Sequence, residues 1–294
     1  MKILIYGHNG WISNLMQNYL LINKVNFYVS KIRVDNFQDV CNEIESINPS
    51  HLMCFIGRTH GGNINTIDYL ENKDKLDINL KDNLYAPLNL VTAVDKYNIH
   101  LTYLGTGCIY TYDEYHKIGD LTTGFTEDDI PNFKGSAYST VKGYTDQIMK
   151  YKTNVLNLRI RMPISSESNS RNFINKIINY DKICSIPNSM SVLDDLIPIM
   201  LDMATKNTIG TYNFTNPGLI THNEILEMYK EYVDPKFKWS NFTIEEQANI
   251  LKAERSNNYL DTSKLQILYP KLKNIKECVR NIMINIKKVN NNLL

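Results

Sequence analysis

The feature that most restricts the fold is the order of the first hundred or so residues, in which short apolar runs and helical patterns take turns. "KILIY" (2–6) is β-branched and apolar and stops at "GHNG", after which "WISNLMQNYLLINK" carries apolar residues at helical spacing. "VNFYVS" then predicts a strand, "NFQDVCNEIESIN" a helix, "HLMCFIG" a strand, "LKDNLYAPLNLVTAVDKYN" a helix and "IHLTYLGTG" another strand. Strands separated by helices cannot pair through hairpins. They are expected to form an α/β fold, a Rossmann-type doubly wound parallel sheet with helices on both faces. "NVLNLRI" supplies one more strand, which "MP" breaks, and from residue 164 the pattern loosens into helices and shorter strands that end in a helical run over about 274–289. The expected division is a Rossmann domain over 1–163 and a smaller C-terminal substrate-binding cap over 164–294, with some cap segments returning to the sheet.

Charge and cysteine content narrow the function. Lys+Arg total 32 against 31 Asp+Glu, so the chain lacks the basic footprint of a nucleic-acid binder, and charged ligands must be held locally. No run of 18 or more apolar residues occurs and the N-terminal apolar stretch is too short for a signal segment, which predicts a cytoplasmic protein with no membrane partner. Five scattered cysteines, Cys41, Cys54, Cys108, Cys184 and Cys278, have no C-x-x-C spacing, so neither a disulfide framework nor a metal site is expected.

The first strand-turn-helix contains Gly7, His8, Asn9, Gly10, Trp11, Ile12 and Ser13, a G-x-x-G-x-x-S turn. Glycines there let the backbone approach a pyrophosphate at the helix N-terminus, where free N–H groups favour an anion, so Gly7, Asn9, Gly10, Trp11 and Ile12 are expected against a dinucleotide. An NAD site usually carries Asp or Glu after the second strand; here the chain reads "VSKIRVD", and Ser30, Lys31 and Arg33 favour NADPH over NADH. "GRTHGG" (57–62) follows the third strand at the sheet edge where ligands bind. Gly57 and Arg58 are expected on the cofactor side and His60 on the substrate side.

Thr106 and Cys108 lie at the end of the next strand, in "GTGCIYTYD", and "YSTVK" puts Tyr138 and Lys142 one helical turn apart on one face. Thr106, Tyr138 and Lys142 together match the triad of the extended short-chain dehydrogenase/reductase superfamily, and Asn83 lies in the preceding helix where that group often has a structural Asn near the cofactor. In that chemistry the phenol gives its proton to a carbonyl oxygen as hydride arrives, and a nearby ammonium favours the ionised phenol.

Beyond the triad, the chain closely resembles the nucleotide-rhamnose synthase family, nearly end to end. The stretches that carry the likeness are "GHNGWI", "GRTHGG", "TGCIYTYD", "PNFKGSAYSTVK", "LRIRMPISS", "RNFINKI", "IPNSMSVLDDLIPIMLDMA", "YNFTNPG", "HNEILEMYKEYVDPKFKWSNFT" and "ERSNNYLD". Ser13 replaces the family's usual Gly, and the loop "YTYDEYHKIGDLTTG" diverges. The resemblance implies a bifunctional 3,5-epimerase and NADPH-dependent 4-keto reductase that converts UDP-4-keto-6-deoxyglucose to UDP-L-rhamnose. It also implies a proton-transfer pair, Cys108 and Lys176, because inverting C3 and C5 needs a base on one face and an acid on the other. Arg171, Asn172 and Arg255 are candidate contacts for the UDP moiety, since guanidinium matches phosphate oxygens bidentately. A homodimer is usual for related enzymes. Two other readings stay open: a monofunctional reductase of dTDP- or UDP-4-keto-rhamnose, and a non-catalytic NADP-binding regulatory protein.

Overall fold

The computed structural model describes residues 1–292; the last two residues of the expected cap, 293 and 294, lie outside them. The chain runs β1 (Ile3–Tyr6), α1 (Trp11–Ile22), β2 (Phe27–Val29), α2 (Phe37–Ile47), β3 (His51–Cys54), α3 (Leu76–Leu80), α4 (Ala86–Tyr97), β4 (His100–Thr106), α5 (Ala137–Met149) and β5 (Val155–Ile160). It continues through α6 (Phe173–Ile177), β6 (Lys182–Ile183), α7 (Leu193–Thr205), β7 (Gly210–Asn213), α8 (His222–Tyr232), β8 (Ser240–Asn241), α9 (Ile244–Ile250), α10 (Ser263–Leu268) and α11 (Ile275–Asn292).

Six strands form one parallel sheet in the order β2-β1-β3-β4-β5-β7. The chain leaves β1 toward β2 and then crosses back to pair β3 on the other side of β1, so the order reverses at β1/β3. In open α/β sheets the crevice at such a point receives ligands. All four residues of β1 are buried, as a central strand covered on both faces requires. On one face Ile3, Ile5, Met16, Leu20, Leu158 and Leu196 join α1 and α7 to the sheet; on the other, Leu4, Val40, Leu52, Leu90, Val94 and Leu101 join α2 and α4.

The half after residue 164 divides in two. α7 packs against α1 and β7 extends the main sheet, so the stretch 193–213 lies against the first half. α6, α8 and α11 instead share a separate core around Ile174, Ile225, Leu226, Val279 and Met283. The small β6/β8 pair adjoins that core.

Helix starts follow local chemistry. Asn36 accepts from the Gln38 amide at 3.0 Å to cap α2, and Ser136 accepts from the Ser139 amide at 3.0 Å to cap α5. α3 and α4 are joined through one π-helical turn, Lys81–Tyr85, so the helix expected over 80–98 runs as a single bulged helix over 76–97.

Candidate active site

A cavity of ≈ 1630 Å³ opens along the carboxyl edge of the sheet, between the first half and the cap core. Its wall includes Gly7, Asn9, Gly10, Trp11, Ile12, Ser30, Lys31, Arg33, Gly57, Arg58, His60, Thr106, Cys108, Tyr138, Lys142, Arg171, Lys176 and Arg255. Eighteen residues singled out from sequence thus share one space, though they come from every part of the chain up to the loop before α10.

Gly7 has φ of 82°, and a Cβ there would lie 2.8 Å from the Ile56 amide nitrogen, so the turn tolerates glycine only. Gly10 precedes α1 in extended conformation and no side chain caps the helix, which leaves the first amides of a twelve-residue helix for a ligand. That cradle fits a dinucleotide pyrophosphate. Beyond β2, Arg33 is exposed and reaches Asp35 at 3.3 Å and Asp82 at 3.4 Å, while Arg58 Nε donates to Asp82 at 2.5 Å. The Ser30 hydroxyl is engaged with Glu43 at 2.8 Å.

Asn83 does not line the cavity. It is fully buried; its Oδ1 accepts from the Arg58 amide at 2.9 Å and its Nδ2 donates to the Arg58 carbonyl at 3.0 Å and to Asn79 at 2.8 Å. The residue expected as a cofactor contact is therefore a backbone clamp on the loop that carries Gly57 and Arg58. Asn172 departs from expectation in the same way. Buried at the start of α6, it accepts from the Ile174 amide at 3.2 Å and donates to the carbonyls of Ser165 at 2.6 Å and Glu167 at 2.9 Å, which removes it from the substrate contacts.

Thr106 ends β4 and the chain turns at once, so Cys108 reaches the cavity from a turn rather than from the strand. The Cys108 amide donates to Thr106 Oγ1 at 3.1 Å, which holds the two side by side. Tyr138 is buried in the first turn of α5; burial pushes its phenol well up, Cys108 adds to this, and the Thr106 hydroxyl acts in the opposite direction. Lys142, one turn later, is 3% exposed and donates to the Tyr103 hydroxyl. Burial brings its ammonium down to about 8, against the opposing pull of Cys54, Asp146 and Cys108.

Across the cavity the basic groups cluster. Lys176 is half-buried on α6, and desolvation followed by the charges of Arg171 and Arg255 lowers its ammonium. Arg171 contacts His60 and donates to Thr59 at 3.3 Å; burial, then Arg171, Arg58 and Lys176, lower the His60 imidazole. Arg255 pairs with Asp68 at 2.5 Å, and the same carboxylate accepts from the amides of Lys252 at 3.0 Å and Ala253 at 2.9 Å. Asp68 and Tyr103 were not expected from sequence. Neither sits in a recognisable motif, and only folding brings each to its partner.

A Rossmann-type sheet whose reversal point carries a glycine turn beside this Thr, Tyr and Lys defines an extended short-chain dehydrogenase/reductase. The chain is 51% identical to the UDP-rhamnose synthase of Acanthamoeba polyphaga mimivirus, with a TM-score of 0.94 over 97% of this chain and 99% of that one. It is 44% identical to a bifunctional dTDP-4-dehydrorhamnose 3,5-epimerase/dTDP-4-dehydrorhamnose reductase of Arabidopsis thaliana, over 94% of this chain and 90% of that one. It belongs to the nucleotide-rhamnose synthase family and is an enzyme of the epimerase/reductase type. A dTDP-4-dehydrorhamnose reductase from Bacillus anthracis, solved with NADP, shares the fold at 18% identity, with a TM-score of 0.79 over 96% of this chain and 98% of that one. No family model matches the chain. Among the described residues no helix is long and apolar enough to cross a membrane.

Proposed function

We propose that the protein inverts C3 and C5 of UDP-4-keto-6-deoxyglucose and then reduces the C4 ketone with NADPH, producing UDP-L-rhamnose. The observation that carries this reading is the convergence of Thr106, Tyr138, Lys142, Cys108 and Lys176 on the same cavity as the glycine turn. A reductase alone would need only the first three.

Hydrogens at C3 and C5 are acidic only while C4 is a ketone, so epimerisation precedes reduction. Cys108 and Lys176 are assigned the proton transfers: a thiol is the natural base of the two, and a desolvated ammonium crowded by Arg171 and Arg255 releases its proton more readily than an ordinary lysine. When bound, the nicotinamide supplies hydride to C4. Tyr138 then protonates the C4 oxygen, Thr106 orients that oxygen, and the Lys142 ammonium favours the phenolate left behind. Lys31, Arg33 and Arg58 suit a 2'-phosphate, which supports NADPH over NADH, whereas the Ser30 hydroxyl gives its proton to Glu43. Arg171 and Arg255 suit the UDP diphosphate, with His60 beside them. The five cysteines are unpaired, which supports a reducing, cytoplasmic setting. A homodimer completes the reading, and light scattering of the purified protein tests it.

The deciding experiment supplies UDP-4-keto-6-deoxyglucose and NADPH and identifies the product by NMR; absence of any deoxyhexose product refutes the proposal. Tyr138→Phe should abolish reduction with NADPH binding retained. Cys108→Ser should sharply slow deuterium wash-in at C3 or C5 while an already epimerised ketone is still reduced. If exchange persists in that variant and reduction collapses, Cys108 serves the reductase instead.

A further inference from the structure

Two arginines stand two residues apart at the end of β5, and only one is neutralised. Arg159 donates to Asp146 twice, from Nε at 2.8 Å and from an Nη at 2.7 Å, and both side chains are buried. Arg161 is just as buried, 1% exposed, yet each of its N–H groups goes to a neutral acceptor. Nε donates to the Ser189 carbonyl at 3.3 Å; one Nη donates to the Gly107 carbonyl at 3.2 Å and Ser256 Oγ at 2.8 Å; the other donates to Asn188 Oδ1 at 2.6 Å and the Ser256 carbonyl at 2.9 Å. None of the ion pairs among the described residues involves it.

A buried charge that is hydrogen-bonded but unneutralised is costly to fold, and such costs concentrate where function needs them. The local backbone points the same way. Met162, the next residue, has φ of 37°, in the left-handed region that a side chain rarely adopts. Arg161 also lines the cavity, and its bond to the Gly107 carbonyl sets it between Thr106 and Cys108 on one side and the 254–260 segment of the cap half on the other.

We propose that Arg161 is a positioning residue of the epimerisation step, a fixed positive charge that favours the enolate formed when a proton leaves C3 or C5. The inference rests on the epimerase reading above. In that step the base takes the proton, the C–H electron pair becomes the new C=C bond to C4, and the carbonyl π pair moves onto O4. Reprotonation of the same carbon from the opposite face returns the ketone with no net redox change. All donors of Arg161 are already engaged, so it does not bind the sugar directly; it acts through its field, held rigid in a poorly solvated wall where a charge acts strongly.

The test follows deuterium wash-in at C3 and C5 of UDP-4-keto-6-deoxyglucose in D2O with NADPH omitted. Arg161→Gln should slow exchange at least tenfold, Arg161→Lys should recover most of it, and NADPH binding should be unchanged in both. A merely structural role would weaken the two variants alike and disturb cofactor binding. Wild-type exchange in the Gln variant, or equal loss in the Gln and Lys variants, overturns the inference. Should the Gln variant not fold, Ser256→Asp places a carboxylate against an intact Arg161 and should exchange at least fivefold more slowly than Ser256→Asn; equal rates overturn the inference. Absence of exchange in the unaltered protein would instead remove the epimerase reading itself.

Discussion

The Lys142 ammonium donates to the Tyr103 hydroxyl inside the protein, and it lies 4.5 Å from the centre of the same ring. Tyr103 is on β4 and Lys142 on α5, so a strand residue outside the proposed triad holds its cation in place.

Lys142 is depressed to about 8, so its ammonium is fully present well below that pH and is lost as pH rises through it. Reduction should therefore fall on an alkaline limb near pH 8 in the kcat/KM profile, which reports the free enzyme. Tyr103→Phe removes only the hydroxyl. A hydrogen bond to a charged group is worth about 1.5–3 kcal/mol, so the limb should move about 1–2 units toward acid. Deuterium wash-in should change much less, and an unmoved limb would mean that Tyr103 merely packs against Lys142.

Arg33 is exposed beside Asp35 and Asp82 and lines the same cavity as the glycine turn. Arg33→Ala should weaken NADPH by roughly tenfold or more, from loss of a charge-assisted contact, and NADH by less than about twofold. Fluorescence titration with both cofactors decides it. Equal losses would assign the 2'-phosphate to Arg58 or Lys31.

Asp146 neutralises Arg159 where both side chains are out of water, and its Oδ1 also accepts from Asn157 at 2.8 Å. Asp146→Asn keeps the shape and strands the guanidinium. Breaking a buried pair from one side costs about 3–5 kcal/mol, and urea unfolding should show that loss. A change under about 1 kcal/mol would show that the pair adds little net stability.

His51 and His100 face each other across β3 and β4, ring centroids 5.4 Å apart, at the end of the sheet away from the cavity. Nε2 of His51 meets Asn207 Oδ1 at 3.0 Å and Nε2 of His100 meets the Thr208 carbonyl at 2.8 Å. Burial lowers both imidazoles, and the neighbouring His100 lowers His51 further. The unfolded chain binds protons more readily than the folded one, so the stability held above about pH 6.5 is lost as pH falls through that value toward the folded pKa values. Urea midpoints should drop between pH 7.5 and 5.5. His100→Gln should flatten that slope, and an equally steep slope would place the acid sensitivity elsewhere.

Much of this enzyme is legible in local sequence. Short apolar runs mark the buried strands and a 3.6-residue period marks the helices between them, both local properties of short segments, and Gly7 is required by one turn that needs a positive φ and a close strand. Tyr138 and Lys142 are neighbours because any helix makes them so. The β4 end was less legible: alternation along a strand predicts Cys108 beside Thr106, and the turn at Gly107 brings it to the same cavity by another route.

Which polar side chains remain available to a ligand was decided only by the tertiary structure. Asn83 and Asn172 have the residue type of a ligand contact, yet both are consumed by backbone groups of loops, Asn83 by the amide and carbonyl of Arg58 and Asn172 by the carbonyls of Ser165 and Glu167. Arg159 and Arg161 are indistinguishable in "LRIRMP", and they part only because α5 brings Asp146 to one while the 188–189 and 254–260 segments bring neutral oxygens to the other. Periodicity and turn chemistry act between residues a few positions apart and so can be read from the chain itself. The state of a buried polar group depends on partners as far off as the Gly107 carbonyl is from Asn258, 151 residues away, and their arrival is set by how the layers pack.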